Sequence, residues 1–136
     1  MRRCFVLLAL LGAASAAPRA ASAIESPGQL ASYCQKLEKG VRGAGQSIQI
    51  PSTKEALLCW GYMQAMQDLS MLVDEDGRRL IGSCPPEDTR LRDFVRAFLA
   101  YEQSHRSSVE ANAVVAVTKA LQQAYPCIPA DAGTKR

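Results

Sequence analysis

A chain of 136 residues has room for a single domain. Its formal charge of +3 sets 16 basic against 13 acidic residues, and the pI of about 8.7 would at first suggest a nucleic-acid footprint. Arg2, Arg3 and Arg19 lie in a stretch expected to be removed, which leaves a near-neutral chain and argues against nucleic-acid binding.

That stretch has the order of a secretory signal. Arg2 and Arg3 form a positive start, Cys4 to Ala14 is an apolar run, and the small-residue signals Ala14-Ser15-Ala16 and Ala21-Ser22-Ala23 follow. The apolar run is shorter than the ~20 residues needed to span a bilayer. Cleavage is expected after Ala23, with Ala16 as the alternative, so residues 1–23 are read as leader and 24–130 as the domain. Residues 131–136 are read as a flexible tail. With the leader gone, no membrane span is expected.

Four helical segments follow in chain order, and no stretch sustains strand alternation. The first is expected over about Pro27 to Val41, with Leu30, Tyr33, Cys34, Leu37 and Val41 at helical spacing and Gly40 and Gly43 at its end. Pro27 suits a first helical position. The second starts at a capping box, Ser52 with Glu55, and is expected to reach about Val73. Leu58, Tyr62, Met66, Leu69 and Val73 are read as its inner face. Trp60 sits on the edge of that stripe, and the spacing leaves open whether it packs inward or faces a partner. Asp74-Glu75-Asp76-Gly77 stops this helix, and Arg78-Arg79 prolongs a charged loop.

Pro85 and Pro86 introduce the third helix, with Asp88 or Thr89 expected as its cap. Leu91, Phe94, Val95, Phe98 and Leu99 recur at i, i+3, i+4, i+7 and i+8, which is one apolar stripe. The helix should fray near Gln103 to Arg106. A second capping box, Ser107 with Glu110, opens a fourth helix expected over about Val109 to Ala124. Its inner face is read as Val114, Val117, Leu121 and Ala124, and Pro126 ends it.

Cys34, Cys59, Cys84 and Cys127 remain after the leader, which takes Cys4 with it. An even count in a short exported chain reads as two disulfides. A metal site fits poorly, because there is no C-x-x-C and His105 is the only histidine. Helices three and four, tightly joined, should fold back on each other. Cys84, just before one, then meets Cys127, just after the other. That leaves Cys34 with Cys59, although four cysteines allow other pairings. The expected fold is all-α, a small four-helix bundle-like domain stapled by two disulfides.

Most catalytic constellations are missing from the sequence. No H-E-x-x-H, P-loop or G-x-S-x-G occurs. His105 reads as a helix-end residue with no nucleophile to serve, and Gly43-Ala44-Gly45 lacks the strand that a phosphate-cradling loop requires. Asp74, Glu75 and Asp76 do not make a calcium loop, because Arg78 and Arg79 stand where further ligands should be. The reading is a non-enzyme with no cofactor and no metal. Its candidate partner-binding residues are Asp74, Glu75, Asp76, Arg78 and Arg79 in one loop, and Gln103, His105 and Arg106 in another.

Several of these pieces resemble one known family. Gly82-Ser83-Cys84-Pro85-Pro86, the stripe Phe94-Val95-Phe98-Leu99-Tyr101 and the closing Ala120-Leu121…Ala124-Tyr125-Pro126-Cys127 resemble the Rap/Tai immunity family. The segment Cys59-Trp60-Gly61-Tyr62-Met63…Asp68 resembles its other recurring motif. The resemblance runs from about Cys34 to Cys127. It implies a periplasmic, all-helical and often homodimeric protein. The best-known members neutralise peptidoglycan amidase effectors delivered by type VI secretion, by inserting a surface element into the effector's active-site cleft. Two alternatives belong to other classes. One is an acid-stress chaperone of the HdeA type, which would gain dye-binding apolar surface near pH 2–3. The other is a non-catalytic envelope structural subunit.

Overall fold

The computed structural model describes residues 24, 26–43, 48–105 and 112–127. The expected leader, the capping box at Ser107 and Glu110, Arg106 and the tail fall outside them. Within the described residues the chain forms four helices, α1 (Pro27–Gly40), α2 (Lys54–Met71), α3 (Leu91–Ser104) and α4 (Ala113–Ala124), as the periodicity predicts.

Each helix start follows from local chemistry. The Ser26 hydroxyl accepts from the Gln29 amide at 3.2 Å, with Pro27 at the first helical position. On α2 the cap is Thr53, not the expected Ser52, and its hydroxyl accepts from the Ala56 amide at 3.3 Å. The predicted Ser52–Glu55 box is replaced by an ion pair, in which Glu55 reaches across to Lys36 of α1 at 3.0 Å. On α3 the chain enters at Arg90, one or two residues later than expected, and the Asp93 carboxylate accepts from the Arg90 amide at 3.1 Å. The described start of α4 is at Ala113, capped by Asn112, whose side chain accepts from the Val115 amide at 3.2 Å. Val109, where the sequence places the start of this helix, lies outside the described residues.

The helices assemble as two antiparallel hairpins. Gly40 ends α1 against the ring of Pro51, and a Cβ there would run into that ring. Arg42 pairs with Gln49 across the link, so α2 returns alongside α1. Cys34 and Cys59 join mid-α1 to α2, and Cys84 and Cys127 join the start of α3 to the end of α4. Both expected pairings are therefore present. Helices α1 and α3 each contact the other three.

Phe94 and Phe98 of α3, Leu30 and Leu37 of α1, Met63 of α2 and Leu121 of α4 fill the core. On α4 the buried residues are Ala113, Ala116, Val117, Ala120 and Leu121. The expected inner face was partly wrong, since Val114 is 44% exposed and Ala124 lies on the surface. The face that α4 buries against α3 and α1 carries Ala113, Ala116 and Ala120 beside Val117 and Leu121.

Helix α2 departs further from expectation. Its buried residues are Ala56, Cys59, Met63, Met66 and Ser70, a stripe rotated from the one read off the sequence. Leu58 and Tyr62 are half-buried, and Leu69 and Val73 face outward. Apolar residues surround most of this helix, so periodicity alone leaves its inner face ambiguous. The bond to Cys34 resolves it, because Cys59 must point at α1. Trp60 is half-buried against the core edge.

Across the α1–α3 seam, both Glu38 oxygens accept from Arg92 Nε, at 3.0 and 2.9 Å, and Arg96 Nε donates to one of them at 2.8 Å. Burial pushes the Glu38 carboxyl upward, but the two guanidinium hydrogen bonds together outweigh it and hold the pKa below the ordinary 4.5. A depressed carboxylate contributes stability in full above its unfolded value and loses it as pH falls through the folded value. Glu38→Gln is expected to cost about 1–2 kcal/mol at neutral pH. It should also flatten the decline in urea midpoint from about pH 5 to 3. Parallel pH profiles for the two chains would refute the linkage.

Candidate partner-binding hairpin

Helix α2 does not run on to Val73. It stops at Met71, and the chain turns back on itself. Leu80 donates to the Leu72 carbonyl at 3.0 Å, Val73 pairs with Arg79, and Asp74 donates to the Arg78 carbonyl at 2.9 Å. Gly77 takes φ +75° at the tip, a conformation in which a side chain is strained. The segment 72–80 is thus a tight hairpin.

Asp74 organises the tip. One of its carboxylate oxygens accepts from the Asp76 amide at 3.0 Å and the Arg78 amide at 2.8 Å, and the other accepts from Arg78 Nε at 2.9 Å. The Arg78 backbone and side-chain hydrogen bonds hold the Asp74 carboxyl below its ordinary value. Arg78 also meets Asp76 at 2.8 Å. Arg79 reaches back to the Met71 carbonyl at 2.6 Å, satisfying an orphan acceptor in the last turn of α2.

The candidate charges therefore divide by role. Asp74 and Arg79 hold the hairpin in shape, Arg78 bridges two acids, and Glu75 and Asp76 are presented to solvent at the tip. The sequence reading missed the apolar side chains beside them. Leu69, Met71, Leu72, Val73 and Leu80 are 39–57% exposed and cluster on and around this one hairpin. Exposed apolar clusters of this kind are candidates for contact surfaces. Their signal was the apolar residues on either side of the charged run, which the stripe reading had assigned in part to the core. Beside them a groove of about 290 Å³ lies between α2 and the Pro85–Thr89 connection, lined by Gln67, Met71, Pro85, Glu87 and Phe94 among others.

The second candidate element is not brought to the same place. Gln103 and His105 lie at the far end of α3, whose 14 residues span about 20 Å. The His105 ring stacks on Tyr101 with centroids 4.1 Å apart, and its Nδ1 lies 2.9 Å from the Tyr101 carbonyl oxygen. That arrangement closes a helix end. Gln103 borders a larger open groove of about 730 Å³ between α1 and α3. Among the described residues no His/Cys/Asp/Glu group is placed to hold a metal ion, and no helix is long and apolar enough to cross a membrane.

The class defined by these features is a disulfide-stapled helical bundle that carries a stiff, apolar-flanked hairpin. Residues 26–127 match the family model of the Rap1a immunity proteins, and the chain belongs to that family. No match was found among curated proteins or among solved structures. Family membership gives the coarse function, an immunity role exercised through binding an effector protein, and the two disulfides fit an oxidising compartment.

Proposed function

We propose that the chain is exported, loses residues 1–23 and acts in the periplasm as the inhibitor of a peptidoglycan amidase effector delivered by type VI secretion. The Leu72–Leu80 hairpin enters the effector's cleft and blocks it sterically, so the immunity protein contributes no catalysis of its own. The observation that carries this reading is the hairpin itself. Its hydrogen-bonded tip is preorganised, which lowers the ordering cost of insertion, and its apolar flanks supply area to bury. Self-association into a homodimer accompanies the proposal, to be checked by light scattering. The acid-chaperone alternative is less well supported, because the apolar cluster is already displayed on the folded chain and needs no acid to expose it.

The test is co-expression. Candidate amidases from the same genome, directed to the periplasm, should lyse cells, and this chain should protect them. The purified pair should form a complex in which cleavage of isolated peptidoglycan stops. Lysis that continues with every amidase tried, without complex formation, would refute the assignment.

A further inference from the structure

The two disulfides occupy opposite environments. Cys34 and Cys59 are both 0% exposed, in mid-α1 and α2, among core residues that include Leu30, Leu37 and Met63. Reaching either sulfur requires prising α1 from α2. Cys84 and Cys127 are exposed and lie outside the helices, one before α3 and the other beyond the cap of α4. Thiol–disulfide exchange requires a thiolate to approach a sulfur directly, so access controls its rate.

We infer that Cys84–Cys127 is a thiol-exchange site that a dithiol opens in the folded chain, whereas Cys34–Cys59 is closed to it. One thiolate of the dithiol attacks one of the two sulfurs, forming a mixed disulfide and releasing the other cysteine as a thiolate, which takes up a proton. The second thiol of the reagent, as its thiolate, then attacks its own sulfur in that mixed disulfide and expels the remaining cysteine. Two electrons and two protons pass to the protein, and the reagent leaves as its own disulfide.

Noncovalent contacts keep this opening local. The Cys84 amide donates to the Tyr125 carbonyl at 2.8 Å, Ser83 pairs with Pro126, and Gln122 Nε2 donates to the Ile81 carbonyl at 2.9 Å. The Phe94 and Tyr125 rings pack with centroids 5.6 Å apart. These contacts hold the end of α4 on the start of α3 after the sulfurs part. The consequence is a looser junction at residues 81–84, directly behind the hairpin, in a chain that is otherwise folded.

The experiment treats the oxidised chain with graded dithiothreitol in native buffer, quenches with iodoacetamide and maps the labelled cysteines. Cys84 and Cys127 should be labelled at least about a hundredfold faster than Cys34 and Cys59, with the helical circular dichroism retained and amide exchange raised at Gly82 and Cys84. Equal rates, the reverse order, or helicity lost in step with Cys84–Cys127 reduction would overturn the proposal. A Cys84→Ser/Cys127→Ser chain gives an independent check. Its Cys34–Cys59 bond should keep its slow reduction, and a rate raised to that of the exposed bond would equally count against a closed second site.

Discussion

Replacing Cys34 and Cys59 together with alanine is expected to remove much of the fold's stability. The bond closes a sequence separation of 25 residues, for which the chain-entropy model gives about 3.5 kcal/mol. Both sulfurs are fully buried, so alanine also leaves a void, worth roughly a further 1 kcal/mol. The sum approaches the lower end of the ~5–15 kcal/mol typical of a domain. The position of the bond sharpens the effect. It ties α2 to α1, and α1 also packs against α3 and α4. Urea unfolding followed by circular dichroism should show a midpoint shifted far toward zero denaturant, or a chain unfolded at 37 °C. A loss below about 1 kcal/mol would mean that packing alone holds α1 and α2 together.

The second large effect concerns binding. Leu72→Asp combined with Leu80→Asp is expected to weaken association with the cognate effector at least about a hundredfold, which corresponds to about 2.8 kcal/mol. Apolar anchors buried at an interface centre carry most of its energy, and an aspartate there would be desolvated without a partner. Both leucines are about half exposed in the free chain, at 48% and 57%, so the unbound fold should barely notice the change. Glu75→Ala at the tip should behave differently, altering the association rate and its salt dependence more than the dissociation rate. Calorimetry of each variant with the effector, beside thermal unfolding of the variant alone, separates these effects. Unchanged affinity in the double leucine variant would remove the hairpin as the contact. Arg79→Ala is a poor substitute for this test, because Arg79 satisfies the Met71 carbonyl and its loss would loosen the end of α2.

The sequence was enough to read local features, because their physics is local. The 3.6-residue recurrence of Leu30, Cys34 and Leu37, and of Leu91, Phe94, Val95 and Phe98, marks α1 and α3 along with the faces they bury. Pro27, Gly40 and the Pro85-Pro86 pair punctuate the chain through backbone constraints that need no neighbours. The cysteine pairing was legible from chain order once helices three and four were taken as a hairpin. Long-range packing had to settle the rest. On α2, Leu57, Leu58, Cys59, Trp60, Tyr62 and Met63 offer several plausible inner faces, and only the covalent link to Cys34 on another helix selects one. That selection turns Leu69 and Leu72 outward. The stop at Met71 and the fold-back of Leu80 onto Leu72 then bring Val73 and Leu80 beside them. A run that reads as core followed by a charged loop is thereby converted into an exposed apolar surface. Solvent exposure belongs to the assembled molecule, because it depends on which neighbours cover a side chain, and those neighbours lie far away along the chain.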